Sequence, residues 1–238
     1  VKISDTAGTF NGVTNVGDNF GTVITSIGDL DGDGIPELAV GAPDEAVGNT
    51  HGTIWILFLN ANGTVRKFKR INTEEGNFTG NWYNLDTFGS SIAGIGDLNN
   101  DGVPDMVMGN ASDDELGTNY GAIWILFLDS NGEVLSEQKI NPNHGNFQGV
   151  LKSNDLFGWA VAGIGDMNGD NMPDIAVGAP GRGDEGTVWI LFMNQDGTVK
   201  THQKINSTNG NFTGDIEQGD NFGNSIASMG DLDGDGIS

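Results

Sequence analysis

Four times the chain returns to one acidic, glycine-rich phrase. The first copy is Asp29-Leu-Asp31-Gly-Asp33-Gly34-Ile35-Pro-Glu37 and the second Asp97-Leu-Asn99-Asn-Asp101-Gly102-Val103-Pro-Asp105. The third is Asp166-Met-Asn168-Gly-Asp170-Asn171-Met172-Pro-Asp174, and the fourth runs Asp231-Leu-Asp233-Gly-Asp235-Gly236-Ile237-Ser238, where position 9 is missing. Side-chain oxygens at positions 1, 3, 5 and 9 of a tight loop suit a hard cation that takes six to eight oxygen ligands. Without a cation, so many clustered carboxylates repel one another, so calcium is expected ahead of magnesium, which keeps its waters in a strict octahedron. An EF-hand would need a bidentate glutamate at position 12 and flanking helices. Position 12 is instead Val40, Met108 or Val177, inside an apolar run.

The phrase sits in a larger period that must position it. Phe10, Phe78, Phe147 and Phe212 each lie in a Gly-x-Phe-x-Gly segment, and ten residues on comes Phe-Gly: Phe20-Gly21, Phe88-Gly89, Phe157-Gly158, Phe222-Gly223. Nine residues after that phenylalanine the acidic loop begins. Loop-to-loop spacing still varies, at 68, 69 and 65 residues, and all of the variation falls between Gly41, Gly109 or Gly178 and the following Trp55, Trp124 or Trp189. Each repeat is thus a rigid frame with one elastic loop, roughly 44–52, 111–121 and 181–186. Insertions in repeat architectures collect on one face, often the binding face.

Four strands per repeat follow. Strand A is the small-residue run after Phe-Gly, and strand B is Glu37–Gly41 with its equivalents. Strand C is the apolar run Ile54–Leu59, repeated as Ile123–Leu128 and Val188–Met193. Strand D follows an Asn-Gly or Asp-Gly turn and covers Val65–Ile71, Val134–Ile140 and Val199–Ile205. A strand C apolar on both faces is expected where each sheet lies between two neighbours, and a strand A poor in large side chains suits the crowded axis of a ring. The fold class is therefore all-β, a β-propeller of four-stranded blades. Blades are expected at about 20–72, 88–141 and 157–206, with a partial blade at 222–238 and the outer strand of a preceding blade at 1–4. Propellers close with roughly 4–8 blades, so either a longer chain or assembly of several copies is expected to complete the ring. In this order the A–B loops share a face with the C–D turns. The elastic B–C loops share the opposite face with the Gly-x-Phe segments.

The residues then match a known pattern. Phe20-Gly21 with Gly41-Ala42-Pro43, and Phe157-Gly158 with Gly178-Ala179-Pro180, flank the acidic loop in a way that resembles FG-GAP repeats, the blades of the integrin α-subunit propeller and of secreted relatives. The second repeat departs, with Gly109-Asn110-Ala111. The resemblance implies calcium in the A–B loops, extracellular binding or adhesion, and a parent of seven blades. By position it places ligands on Asp29, Asp31, Asp33, the Ile35 carbonyl and Glu37, and on Asp97, Asn99, Asp101, the Val103 carbonyl and Asp105. A third set is Asp166, Asn168, Asp170, the Met172 carbonyl and Asp174, with Asp231, Asp233 and Asp235 in the truncated fourth loop. Asn171 stands where glycine is usual, and asparagine tolerates the positive φ needed there.

Composition narrows the rest. With 33 acidic against 10 basic residues and a net charge of −23, nucleic acid is an unsuitable partner, because that affinity comes from basic groups displacing phosphate counterions. The chain has no cysteine, so disulfides and thiolate chemistry are excluded. No apolar segment long enough to span a membrane occurs. His51, His144 and His202 occupy unrelated positions, and no nucleophile elbow, His-Glu-x-x-His or phosphate loop is present, so the segment is read as non-enzymatic. Arg182-Gly183-Asp184 is read as a chance match to the tripeptide many integrins recognise, and the sequons at Asn62, Asn77, Asn110, Asn206 and Asn211 as products of an asparagine-rich chain. The tryptophans opening each strand C are expected in the core. The expected partner is a protein or glycan on the elastic-loop face; the alternatives are a structural role in a cell-surface assembly or service as the accessory domain of a secreted hydrolase.

Overall fold

The computed structural model describes residues 1–4, 7–47, 50–81 and 87–231. Thirteen strands and no helix are formed among them. Blade 1 is the antiparallel sheet β1 (Ile24–Gly28), β2 (Glu37–Val47), β3 (Thr50–Leu59) and β4 (Val65–Ile71), with the two-residue β5 (Thr87–Phe88) added in parallel to β3. Blade 2 is β6 (Ser91–Gly96), β7 (Asp105–Asn110), β8 (Ala122–Leu128) and β9 (Val134–Ile140), in that spatial order. Blade 3 repeats it with β10 (Ala160–Gly165), β11 (Asp174–Ala179), β12 (Thr187–Met193) and β13 (Val199–Ile205). These are the four-stranded blades of a β-propeller, stacked face to face. Trp82, which falls outside the strand C tryptophan register in the sequence, lies outside the described residues.

The both-faces pattern of strand C has a direct cause. Every residue of β8 is buried. Ile123, Ile125 and Phe127 enter a core shared with Val177, Leu191 and Met193 of blade 3. Trp124, Leu126 and Leu128 face the other way, into a core shared with Ile54, Ile56 and Phe58 of blade 1. Because strand side chains alternate, one apolar run supplies two inter-sheet cores. The inner strands approach one another through their backbones, so strand A stays small: a Cβ on Gly163 would lie 2.3 Å from the carbonyl oxygen of Gly94.

The Phe-Gly and Gly-Ala-Pro segments lock consecutive blades. The Phe88 backbone pairs in parallel with Gly52, and Phe157 and Phe222 bridge Gly121 and Gly186 in the same way. The carbonyl of the glycine that follows then lodges against the preceding blade. A Cβ on Gly41, Gly109 or Gly178 would sit 2.0, 1.9 or 2.0 Å from the oxygen of Gly89, Gly158 or Gly223. Behind this seam the Gly-x-Phe rings Phe10, Phe78 and Phe147 each pack on a Phe-Gly ring and a strand C tryptophan. Phe10 lies 5.3 Å from both Phe20 and Trp55, and Phe147 lies 5.0 and 5.2 Å from Phe157 and Trp189.

Trp55, Trp124 and Trp189 are all buried, as expected. Their indole N–H groups differ. Trp55 Nε1 donates to Glu45 Oε2 at 3.0 Å, whereas Trp124 Nε1 has no partner among the described residues. Replacing Trp55 by Phe removes a buried bond, while replacing Trp124 by Phe removes an unsatisfied donor. Urea denaturation of the two variants is therefore expected to show W55F the more destabilised, by about 1–2 kcal/mol beyond the shared loss of ring area. Equal losses would contradict this account.

Two stretches differ from the sequence expectation. In blade 1 the B–C connection continues as a β-ribbon, β2 and β3 pairing again at Ala46↔His51 and Val47↔Thr50 past an irregularity after Ala42. Residues 222–229, expected as the lone strand A of the partial blade, form only the Phe222 bridge, with no strand B among the described residues to pair with them. At the other end, residues 1–4 contribute a single bridge, Ser4↔Ala7.

Candidate metal centre

Each A–B loop is organised by its first aspartate. Asp29 Oδ1 accepts the N–H groups of Gly32 and Asp33 at 2.8 and 3.1 Å, and its Oδ2 accepts that of Gly34 at 2.9 Å. Asp166 does the same for Gly169, Asp170 and Asn171 at 2.8, 3.1 and 2.7 Å. In the second loop Asp97 holds Asp101 and Gly102 at 3.0 and 2.8 Å. Position 5 then caps the N–H two residues on: Asp33 to Ile35, Asp101 to Val103 and Asp170 to Met172, at 2.9, 2.8 and 3.0 Å. The turn needs left-handed backbone at position 6, and Asn171 takes φ 65° where Gly34 and Gly102 take 86° and 90°. Ile35, Val103 and Met172 are half-buried at the loop edge.

Position 9 opens strand B, and all three copies are fully buried: Glu37, Asp105 and Asp174. Here the loops diverge. Asp105 bonds backbone with both oxygens, to Leu98 N at 3.0 Å and Leu128 N at 3.1 Å, tying its loop to the end of strand C. Asp174 does likewise with Met167 and Met193, at 3.0 and 3.2 Å. The longer Glu37 accepts from Leu30 N at 2.7 Å through Oε2, but its Oε1 is buried without a partner. Asp31 Oδ1 is buried and unpartnered as well. Asp29, Asp31 and Glu37 bring a carboxylate oxygen each to within 4.8 Å of one another. Two orphaned acceptors in a knot of three acids are costly unless a cation is present, so this donor set fits a hard divalent ion. Asn99 and Asn168 put neutral amide oxygens at position 3 of the other loops. Asp231 is exposed, while Asp233 and Asp235 lie outside the described residues.

Strand D supplies basic partners that the sequence analysis did not assign to the loops. Arg66 Nη2 reaches Asp31 at 2.6 Å and Asp33 at 2.9 Å, and Lys200 Nζ reaches Asp170 at 2.8 Å. Blade 2 has the exposed Leu135 at that position. Burial alone would raise the Asp31 carboxyl, yet the bond and charge of Arg66 hold it below the usual range. The position 9 acids go the other way. Burial pushes Asp105 up to about 7 and Asp174 to about 6, and raises Glu37, against the backbone bonds that favour their ionised forms.

This has a pH consequence for the metal-free chain. Unfolded, both aspartates ionise near 3.8; folded, they keep their protons to about 7 and 6. Between those values the folded state binds more protons, so stability falls as pH rises. Glu115, lowered to about 2 because its partial desolvation is outweighed by its bonds to Lys139 and His144, contributes stability that is lost only as pH falls below about 4.5. Thermal melts in chelator are expected to peak near pH 4–5 and drop by several degrees toward pH 7. Added divalent cation, which takes the ionised carboxylates, should flatten or reverse the slope. A metal-free melting point that rises from pH 5 to 7 would refute it.

The FG-GAP repeat family profile matches residues 20–57, 88–126 and 157–191, the three strand A to strand C units that carry these loops. The chain is an FG-GAP repeat protein. It is 34% identical to integrin alpha-2 of Mus musculus over 172 residues, and 29% identical to integrin alpha pat-2 of Caenorhabditis elegans over 226 residues. Those alignments cover 70% and 90% of this chain but only 13% and 17% of the integrins. It is also 28% identical to the phosphatidylinositol-glycan-specific phospholipase D of Bos taurus over 187 residues, 75% of this chain and 21% of that protein. This FG-GAP chain thus spans a small part of each relative. Among its described residues no helix is long and apolar enough to cross a membrane.

Proposed function

We propose that the chain is a calcium-stabilised, non-enzymatic propeller module of a secreted or cell-surface protein, which binds a protein or glycan ligand on its B–C loop face. The observation that carries the metal half is the pair of orphaned oxygens, Asp31 Oδ1 and Glu37 Oε1, beside Asp29. Calcium would be held by Asp29, Asp31, Asp33, the Ile35 carbonyl and Glu37 in the first loop. The second site would use Asp97, Asn99, Asp101, the Val103 carbonyl and Asp105, and the third Asp166, Asn168, Asp170, the Met172 carbonyl and Asp174. A partial fourth would draw on Asp231, Asp233 and Asp235. The ion supplies positive charge and cross-links each loop. The protein's part is the backbone cradle that Asp29, Asp97 and Asp166 organise.

Support for the ligand half is the division of faces. Gln195, in a C–D turn, bonds the Asn99 carbonyl of an A–B loop. On the other side, B–C residues meet the segment entering the next blade: Leu156 N donates to Asn119 O and Phe222 N to Glu185 O. Metal and length variation are thereby kept apart. Outside blade 3, Val188, Ile190 and Phe192 of β12 are only half-buried, a face that a further blade of the parent would cover. The test is an array of glycans and extracellular-matrix proteins probed with the calcium-loaded chain, alongside variants in which Gly183–Glu185 or Ser112–Leu116 is replaced by glycine and serine. Binding that the loop variants lose supports the reading; an array with no binder, or binders indifferent to both changes, rejects it.

A further inference from the structure

One place in the outer rim is built alike in all three blades and completed in only two. Arg70, Lys139 and Lys204 are equivalent in strand D, and each lies over the strand C indole, 5.0 Å from Trp55, 5.6 Å from Trp124 and 5.3 Å from Trp189. In blade 1 the B–C loop brings Glu45, 4% exposed, onto Arg70. In blade 2 it brings Asp113 and Glu115 onto Lys139 at 2.7 and 2.6 Å, and Asn141 Nδ2 adds a second bond to Glu115 at 3.0 Å. The charge-bearing donors are thus answered by carboxylates carried on a peptide loop.

Blade 3 has the donors and lacks the acceptor. Its B–C loop is shorter, with 11 residues from Gly178 to Trp189 against 14 and 15 in the other blades. Among the described residues Lys204 forms no ion pair, and the Nδ2 of Asn206, the counterpart of Asn141, donates to nothing. The nearby acids are otherwise engaged. Asp184 pairs with Lys152 at 2.8 Å, Glu185 accepts from Ser207 Oγ, and Asp155 accepts from Lys152 N at 2.9 Å. Asp155 serves its own turn, as Asp18 and Asp220 do in theirs. Where the longer loops lie in the other blades there is a cavity of about 640 Å³, walled by Leu151, Lys152, Asp155, Glu185, Lys204 and Gln218.

We propose that this cavity is a receptor for an aspartate or glutamate side chain of a partner protein, its carboxylate bridging Lys204 Nζ and Asn206 Nδ2 as Glu115 bridges Lys139 and Asn141. The inference rests on the ligand-binding reading above and adds the chemistry the loop face selects in blade 3. An acidic peptide fits better than a free anion because the occupant of the equivalent place in the first two blades is an acid carried on the chain, on strand β2 in blade 1 and on a turn in blade 2. The chain's overall negative charge is screened beyond about 8 Å at physiological salt; nearer in, Asp155, Asp184 and Glu185 line the cavity with Lys152 and Lys204, so binding depends on direct contact of the carboxylate with Lys204 and Asn206 rather than on a positive local field.

The experiment is an amide-detected NMR titration of the calcium-loaded chain with the capped peptide Gly-Ser-Glu-Ser-Gly and its Gln analogue. The Glu peptide is expected to move the Asn206 side-chain amide and the Gly186 amide saturably. A charged hydrogen-bond pair should make the Gln analogue roughly tenfold to a hundredfold weaker. Lys204→Gln should abolish the shifts and Lys204→Arg restore them; both keep an apolar stem over Trp189, and an unchanged melting point verifies folding. No shift at Asn206 up to about 10 mM peptide, or equal response to the Gln analogue, overturns the proposal. Array ligands that survive Lys204→Gln would reject this pocket and leave the module reading intact, whereas an empty array would reject the module reading.

Discussion

In excess chelator the chain is expected to melt about 10–30 °C below its melting point in about 10 mM calcium. Extracellular sites bind with constants near ~10⁻⁴–10⁻³ M, so that concentration exceeds saturation about tenfold to a hundredfold. Mass action then gives about 1.4–2.7 kcal/mol per site and about 4–8 kcal/mol for three. At this chain length each kcal/mol moves the midpoint by about 2–4 °C. The first loop should contribute most, because it alone gathers three carboxylates within 4.8 Å and leaves two buried oxygens unanswered among the described residues. Asp31→Asn should therefore remove at least a third of the calcium-dependent increment, while Asn99→Asp, which restores the missing charge in the second loop, should enlarge it. Calorimetry with and without calcium decides the matter. Superimposable melts would end the metal assignment.

Most of the frame was legible because it is periodic. Ile123–Leu128 has an apolar residue at every position, which only a sheet covered on both sides can use, and β8 is buried at every position. The acidic loops announced themselves by oxygen spacing, and the φ of Asn171 follows from its place in that register. What stayed hidden depends on pairings between distant segments. That Glu37 leaves an oxygen free while Asp105 spends both on backbone turns on one methylene of reach. The position 9 alignment, blind to side-chain length, treats the two as equal. Nothing in the spacing marks Arg66 and Lys200 within strand D; only strand D's return beside its own A–B loop sets them against Asp31 and Asp170. The repeated cation at Arg70, Lys139 and Lys204 could have been found from spacing, since each lies fifteen residues past its tryptophan. Its meaning required seeing which B–C loop comes back to meet it.

Gly109→Ala is expected to separate the melting of blades 2 and 3 and to lower stability by about 3 kcal/mol or more, at the upper end of what overpacking does. The new methyl would lie 1.9 Å from the Gly158 oxygen and 2.9 Å from its carbonyl carbon, with Ser91 Cβ at 3.2 Å on another side. Neither wall can retreat easily. Gly158 N is bonded to the Gly178 carbonyl at 3.0 Å, and Phe157, fully buried, anchors the same segment in the core between the blades. Gly109 itself lies outside the left-handed region, so alanine carries no backbone penalty there and the whole effect is steric. Gly183→Ala is the opposite case: it has open space around its Cβ but a φ of +79°. That variant should cost about 1 kcal/mol through conformation alone and leave a single transition. Stability in stacked repeats is close to a sum of blade and interface terms, so weakening one seam should divide a cooperative calorimetric peak in two. A Gly109→Ala chain that melts like wild type would show that the tight approach at the Phe-Gly seam is not what couples the blades.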